Sequence, residues 1–183
     1  MINVTLTVLD ILIAHEISWL RRTRSRDAGL RAAHGLSETD WHRLWRQELQ
    51  SAAAEIAFSS IRPVESMLGV DLDACVDTFH APDLIENGLR WQVRHTERED
   101  GRLIVRPSND RLHRYVLVTG EIPNFQVVGW IWGYMAQSSR WWREGKNGRP
   151  GAWFVPQWAL HHSFDDLVPS LDEIEGMEGV SHG

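Results

Sequence analysis

The sequence contains very little cysteine and lysine. Cys75 is the only cysteine in 183 residues, so no internal disulfide can form, which favours a reducing compartment. Its acidic neighbours Asp73 and Asp77 disfavour a reactive thiolate, so an unreactive, partly buried cysteine is the simpler interpretation. Lys146 is the only lysine among 19 basic residues, and a GC-rich genome is the simplest explanation for that bias toward arginine.

Several motifs that define large functional classes are absent. There is no run of about 18 apolar residues, which predicts that no helix spans a membrane. The apolar start at residues 1–14 has no basic region or cleavage site, so we expect a cytoplasmic protein of a bacterial cell rather than a secreted one. No glycine-rich phosphate loop, Ser/His/Asp arrangement or Cys-x-x-Cys pair occurs. These absences exclude the protein classes that the three motifs define, namely phosphate-loop nucleotide-binding proteins, Ser/His/Asp acyl-transfer enzymes and Cys-x-x-Cys redox proteins.

The residues present are typical of one globular domain with an unusual charge distribution. Hydrophobic residues make up 43% of the chain, enough for a core, and ten tryptophans are far more than this length normally carries. The net charge is −6, but residues 21–31 and 90–114 are rich in arginine. A basic face, and therefore a nucleic-acid partner, remains compatible with this composition, although solvated helix faces explain it equally well. We expect a domain over residues 1–165 and an acidic, flexible tail over 166–183.

Apolar periodicity predicts helices first and a sheet afterwards. A spacing near 3.6 predicts a helix over residues 4–20, and the arginine-rich segment 21–31 either continues it or forms a second short helix. A stronger stripe predicts a helix over residues 40–61, ended by Pro63, so the helical part covers residues 1–62. From Asp83 the period becomes two, which predicts strands within a core over residues 78–160, at 83–86, 89–96, 103–106, 115–119, 125–132 and 152–155. A short helix is expected at residues 134–143. The fold class is therefore α+β (mixed α/β), with a central mixed sheet of about four to six strands flanked by helices.

The Asn87-Gly88 pair predicts a tight hairpin that places polar residues together. If these two residues form the turn, Asp83 lies opposite Gln92, with Cβ atoms about 4.5–5.5 Å apart. Gln92 and Arg94 then share a face with Asp83. A carboxylate, an amide and a guanidinium suit Mg²⁺ together with a phosphoryl group.

In this arrangement the sequence resembles the PD-(D/E)XK nuclease superfamily, in its small phage or prophage form. The residues that carry the resemblance are Glu55 on a helix, Asp83 after Pro82, and Gln92-Val93-Arg94 on the next strand. Further marks follow in order over about residues 40–160, namely Leu103-Ile104-Val105-Arg106-Pro107, Tyr115–Gly120, Val127–Ile131 and Trp153–Gln157. The order and spacing of these short motifs carry the resemblance.

The resemblance implies a restriction-endonuclease-like core and a Mg²⁺- or Mn²⁺-dependent hydrolase acting on DNA. Asp83 and Gln92 would bind the cation with the carbonyl of Val93, Glu55 would bind it or its water, and Arg94 would stand at the family's lysine. Two departures bear on activity, because Gln92 lacks the charge of a glutamate and Arg94 cannot act as a base. A catalytically inactive relative that binds nucleic acid or a host protein is the alternative.

Simpler structural explanations remain open for each residue. Glu55 alone fits a boundary residue paired with an arginine, Asp83 fits a turn-forming acid, and Gln92 and Arg94 fit an exposed strand face. The expected nucleic-acid contacts are Arg90, Arg140, Trp141 and Arg143, since aromatic rings and cations bind single strands, but core packing or a partner interface is the simpler explanation for the tryptophan. Homodimerisation and a host protein partner are further expectations.

Overall fold

A computed structural model of the chain describes residues 1–27, 41–62, 83–86, 88–145 and 150–164. The predictions for Cys75, Pro82, Asn87, Lys146 and the acidic tail lie outside these residues. Within the described ranges, no helix is both long and apolar enough to cross a membrane.

The chain begins with a strand, so the prediction of an entirely helical N-terminal part is wrong for its first residues. β1 (Ile2–Thr5) pairs antiparallel with a strand near the end of the domain, and α1 (Val8–Asp27) follows. The helix starts late because Thr7 caps it: the Thr7 backbone N–H donates to Asp10 Oδ2 at 2.8 Å, and the Asp10 N–H donates back to Thr7 Oγ1 at 3.2 Å. α1 then runs into the arginine-rich segment, as one of the two alternatives anticipated.

The second helix confirms the strongest helical prediction. α2 (Trp41–Ser59) carries four completely buried small side chains in the core that it shares with α1 and the sheet, Ala52, Ala53, Ala54 and Ala57. Alanines at these positions let the helix backbone come close to the sheet. α2 packs against α1 and over one face of the sheet, which places Glu55 at the junction between the two helices.

The main sheet is five-stranded and mixed. Its strands are β1, β2 (Leu84–Glu86), β3 (Leu89–Thr96), β5 (Arg114–Glu121) and β6 (Asn124–Trp132), in the spatial order β1-β6-β5-β3-β2. β3 and β5 are parallel, and the other neighbours are antiparallel. Helices α1 and α2 cover one face over a core that includes Trp91, Val93 and Phe58.

A second, three-stranded sheet covers the opposite face. β4 (Leu103–Val105), β8 (Ala152–Val155) and β7 (Trp142–Arg143) lie in the order β4-β8-β7, over a core that includes Tyr115 and Leu117. The parallel connection from β3 to β5 thus passes through β4, where a crossover helix would be usual. The flanking helices expected from the sequence are α1 and α2, which lie on the face of the main sheet opposite the second sheet.

The helix predicted at residues 134–143 is wrong in extent. A single turn, α3 (Gly133–Ala136), is followed by a 3₁₀ turn at Ser139–Trp141 and then by β7. The α+β fold class is confirmed by the three helices and two sheets of the described residues. The restriction-endonuclease-like core stays a prediction.

Candidate functional site

The predicted hairpin register is confirmed residue by residue. Leu84 pairs with Trp91, Ile85 with Arg90, and Glu86 with Leu89, which leaves two residues for the turn. Gly88 has φ 77°, a left-handed conformation that suits glycine in such a turn. The alternation of β3 follows, with Trp91 and Val93 under the helices and Gln92 and Arg94 on the other face.

The hairpin ladder ends at the pair of Leu84 with Trp91 and does not include the predicted pair of Asp83 with Gln92, but two hydrogen bonds hold Asp83 against β3. Its backbone N–H donates to the carbonyl of Trp91 at 2.8 Å, and its carboxylate oxygen Oδ2 accepts the N–H of Val93 at 2.6 Å. These contacts lie on either side of Gln92, which is itself buried. Asp83 therefore closes the end of the hairpin as well as presenting a carboxylate there.

Glu55 forms the tightest ion pair of the cluster, with an arginine that sequence reasoning missed. Arg21 of α1 donates from Nη1 to Oε1 at 2.8 Å and from Nη2 to Oε2 at 2.7 Å. The two side chains are only 16% and 8% exposed. This bidentate geometry satisfies both carboxylate oxygens, so the structural explanation of Glu55 as an arginine-paired boundary residue is confirmed. The only sequence signal was the arginine-rich segment itself.

Asp83 is electrostatically connected to the other predicted site residues. Burial and, to a smaller extent, the negative charge of Glu55 raise the pKa of its carboxyl from 3.8 to about 7. Arg94, Arg21 and the Val93 hydrogen bond act in the opposite direction. Glu55 and Arg94 therefore each act on the charge of Asp83, Glu55 from the helix side and Arg94 from the opposite face of the sheet.

A further acid and a further arginine belong to the same surroundings. Burial raises the pKa of Glu48 on α2; Arg21 lowers it and Glu55 raises it. On the other face, burial and the nearby charge of Arg94 lower the pKa of Arg106, just after β4. The Arg94 guanidinium lies 5.5 Å from the centre of the Tyr115 ring. Neither Glu48 nor Arg106 was predicted as a site residue, because only the tertiary fold brings them near.

The donor atoms fit a divalent cation in part. Carboxylate and amide oxygens of Asp83 and Gln92 are the hard ligands that Mg²⁺ prefers, and the uncompensated negative charge at Asp83 would be relieved by a cation. Glu55 does not fit as a direct ligand while Arg21 holds both of its oxygens. The carbonyl of Val93 accepts a long 3.4 Å contact from Arg94 Nη1. Among the residues described, no group of three or more His, Cys, Asp or Glu side chains lies together as a metal site.

The predicted nucleic-acid residues are divided between surface and core. Arg90, Arg140 and Arg143 are exposed, and Arg90 shares the Gln92 and Arg94 face of β3. Trp141 is 8% exposed, packs edge-on against Trp158, and therefore cannot stack on a base in this conformation. The prediction that Trp141 stacks on a base is therefore wrong, and its ring packs in the core. Trp158, at 75% exposure, is the open ring there, and a single exposed aromatic in a 3₁₀ turn gave no sequence signal.

A shallow groove lies elsewhere on the molecule, away from the predicted site. It has a volume of about 460 Å³ at the β1, β5 and β6 edge, and its lining includes Glu97 and Glu99 but no Lys or Arg. An acidic lining disfavours a polyanion. The groove therefore adds nothing to the nuclease hypothesis.

No family model, curated protein or solved structure matches this chain. The resemblance to PD-(D/E)XK nucleases therefore stays a prediction.

Proposed function

We propose that the chain is a metal-dependent, nuclease-like protein that acts on DNA phosphodiester bonds, with Asp83 at the centre of its site. The supporting observation is the position of Asp83, bonded to β3 at the residues on either side of Gln92 and within the electrostatic influence of both Glu55 and Arg94. Charge of both signs at one hairpin end is what a cation and a phosphate group require together.

In this proposal each residue has a limited role. Asp83 and Gln92 hold the divalent cation, which supplies Lewis-acid polarisation of a phosphodiester oxygen. Glu55, fixed by Arg21, contributes negative charge that favours the cation. Arg94 stabilises negative charge on the phosphate, and it does so without giving up a proton. Exposed Arg90 on the same face would contact the DNA backbone.

The decisive test is DNA cleavage by the purified chain with Mg²⁺ or Mn²⁺. We expect cutting that EDTA stops and that Asp83→Asn lowers at least ~100-fold, because the variant removes the only negatively charged ligand. The matched control is Asp100→Asn, the same chemical change at an exposed residue that pairs with Arg98. Cleavage that survives Asp83→Asn would contradict the proposal, as would intact linear, circular, branched and single-stranded DNA with both cations.

A second candidate is a non-cutting relative that binds nucleic acid, and the Arg21–Glu55 pair favours it. Here two arginines, Arg21 and Arg94, supply the positive charge that a metal would otherwise bring. This candidate predicts that a fluorescently labelled DNA binds equally well with and without EDTA. Asp83→Asn should leave the affinity unchanged, whereas Arg90→Ala should weaken it and reduce its salt dependence. Loss of binding on chelation would remove this candidate.

A further inference from the structure

The outer face of α1 is apolar where a solvated helix would be charged. Seven side chains of this helix are exposed in the part whose side chains the structure describes, and Glu16 is the only charged one. The other six are large hydrophobic residues: Val8, Leu9, Leu12, Ile13, Trp19 and Leu20. A helix face that is exposed to solvent normally carries charged and polar residues.

These side chains form one continuous surface, which we call the α1 stripe. At 100° per residue they fall within an arc of about 140° around the helix axis. Their exposed fractions amount to roughly 600 Å² of surface, most of the about 800 Å² that each partner buries in a standard interface. An apolar patch of this size on a monomer usually marks an interaction site.

We propose that the α1 stripe is a homodimer interface in which two copies of α1 pack antiparallel about a two-fold axis near His15 and Glu16. The stripe has apolar residues on both sides of Glu16, so an antiparallel pair places Leu12 of one copy against Trp19 of the other. A two-fold axis makes the same contact twice and buries the whole stripe of both copies.

Glu16 favours a second copy of the chain as the partner of the α1 stripe, and it favours the antiparallel orientation. Within one chain its carboxylate lies 3.4 Å from His15 Nδ1. In the antiparallel pair the carboxylate of each copy also meets His15 of the other copy, whereas a parallel pair would put two Glu16 carboxylates face to face. Nucleic acid and anionic membranes fit poorly, because the stripe carries no cation and the chain has a net charge of −6.

Analytical ultracentrifugation of the full chain over a range of concentrations tests the interface. We expect a dimer, and we expect Leu12→Lys to weaken self-association at least ~100-fold, because each dimer would bury the new charge twice. Leu12 is 58% exposed, so the monomer should keep its stability, which thermal unfolding checks. The matched control is Leu112→Lys, at 56% exposure in a turn far from α1 in sequence, and it should leave the dimer intact.

Disulfide trapping tests the orientation, in a Cys75→Ser background that removes the native thiol. Glu16→Cys lies beside the proposed axis and should form an intermolecular disulfide on oxidation. Val8→Cys should not, because Val8 lies about two helical turns from the axis and its counterpart in the other copy is therefore about four turns away. A chain that stays monomeric, a dimer that Leu12→Lys leaves intact, or preferential trapping through Val8→Cys would each overturn the proposal, whatever other protein or vesicle the chain binds.

Discussion

Replacing Arg21 with methionine is expected to lower the free energy of unfolding by about 3–5 kcal/mol. The substitution removes both hydrogen bonds to Glu55 and leaves a carboxylate that is 8% exposed without that cation. The same guanidinium lowers the pKa values of Asp83 and Glu48, so its loss leaves three acids less compensated. Urea unfolding of both proteins near pH 7.5 measures the difference.

Two further variants separate this ion pair from a general effect of losing an arginine. Arg46→Met removes an arginine whose partners Glu97 and Glu121 are exposed, and it should cost less than about 1 kcal/mol. Adding Glu55→Gln to Arg21→Met should recover most of the lost stability, because the buried charge is then gone. If Arg21→Met lowers the free energy of unfolding no more than Arg46→Met does, Arg21 does not compensate a buried charge at Glu55. The second candidate function, in which arginines supply the positive charge of the site, then fails.

The hairpin was predictable because its determinants are local. A two-residue turn at residues 87 and 88 leaves Glu86 to pair with Leu89, and the alternation of apolar and polar residues along β3 assigns each side chain to a face. The same reasoning placed Asp83 opposite Gln92, one pair beyond the end of the observed ladder. Helix α2 was predictable for a similar reason, since its apolar stripe and Pro63 are both read within one segment.

The parts that were missed depend on contacts between distant segments. Arg21 and Glu55 are 34 residues apart, and only the packing of α1 on α2 joins them. β1 was mistaken for helix because the apolar spacing of α1 was extended back to residue 4, although Ile2, Val4 and Leu6 alternate with polar residues as in a strand. Its pairing with β6, more than 100 residues later, decides between the two.

The tryptophans illustrate the same limit within one pattern. Trp141 and its neighbour Trp142 lie between two arginines, and Trp141 was predicted from this pattern to stack on a base. The chain turns tightly there, so Trp141 enters the core beneath Trp158, and Trp142 packs on Trp153 at 4.8 Å between ring centres. Trp130 and Trp132, two residues apart on β6, share a face of the strand and are both buried, with the guanidinium of Arg114 packed against both rings. The alternation of residues along a strand predicts which side chains are buried, whereas the sequence of an irregular turn does not.

Asp83→Asn is expected to make the protein more stable at pH 8, the reverse of the usual effect of removing a paired aspartate. Burial and the neighbouring charge of Glu55 raise the pKa of Asp83 to about 7 in the folded chain, above its ordinary value of 3.8. Between these values the folded state holds a proton that the unfolded state has released. The free energy of unfolding therefore falls as the pH rises through this range, and the full cost is present above about pH 7. Asparagine keeps an oxygen for the Val93 N–H without the charge.

The expected gain is at most ~4 kcal/mol at pH 8 and shrinks toward zero near pH 4, where Asp83 is protonated in both states. Guanidinium unfolding at several pH values in EDTA measures it, because a bound cation would stabilise the ionised carboxylate and mask the effect. Asp100→Asn is the control, since Arg98 lowers the pKa of Asp100 and its loss should not stabilise the protein at pH 8. If Asp83→Asn and the wild type respond to pH alike, Asp83 carries no uncompensated charge. The main physical reason for a cation at this hairpin would then be gone.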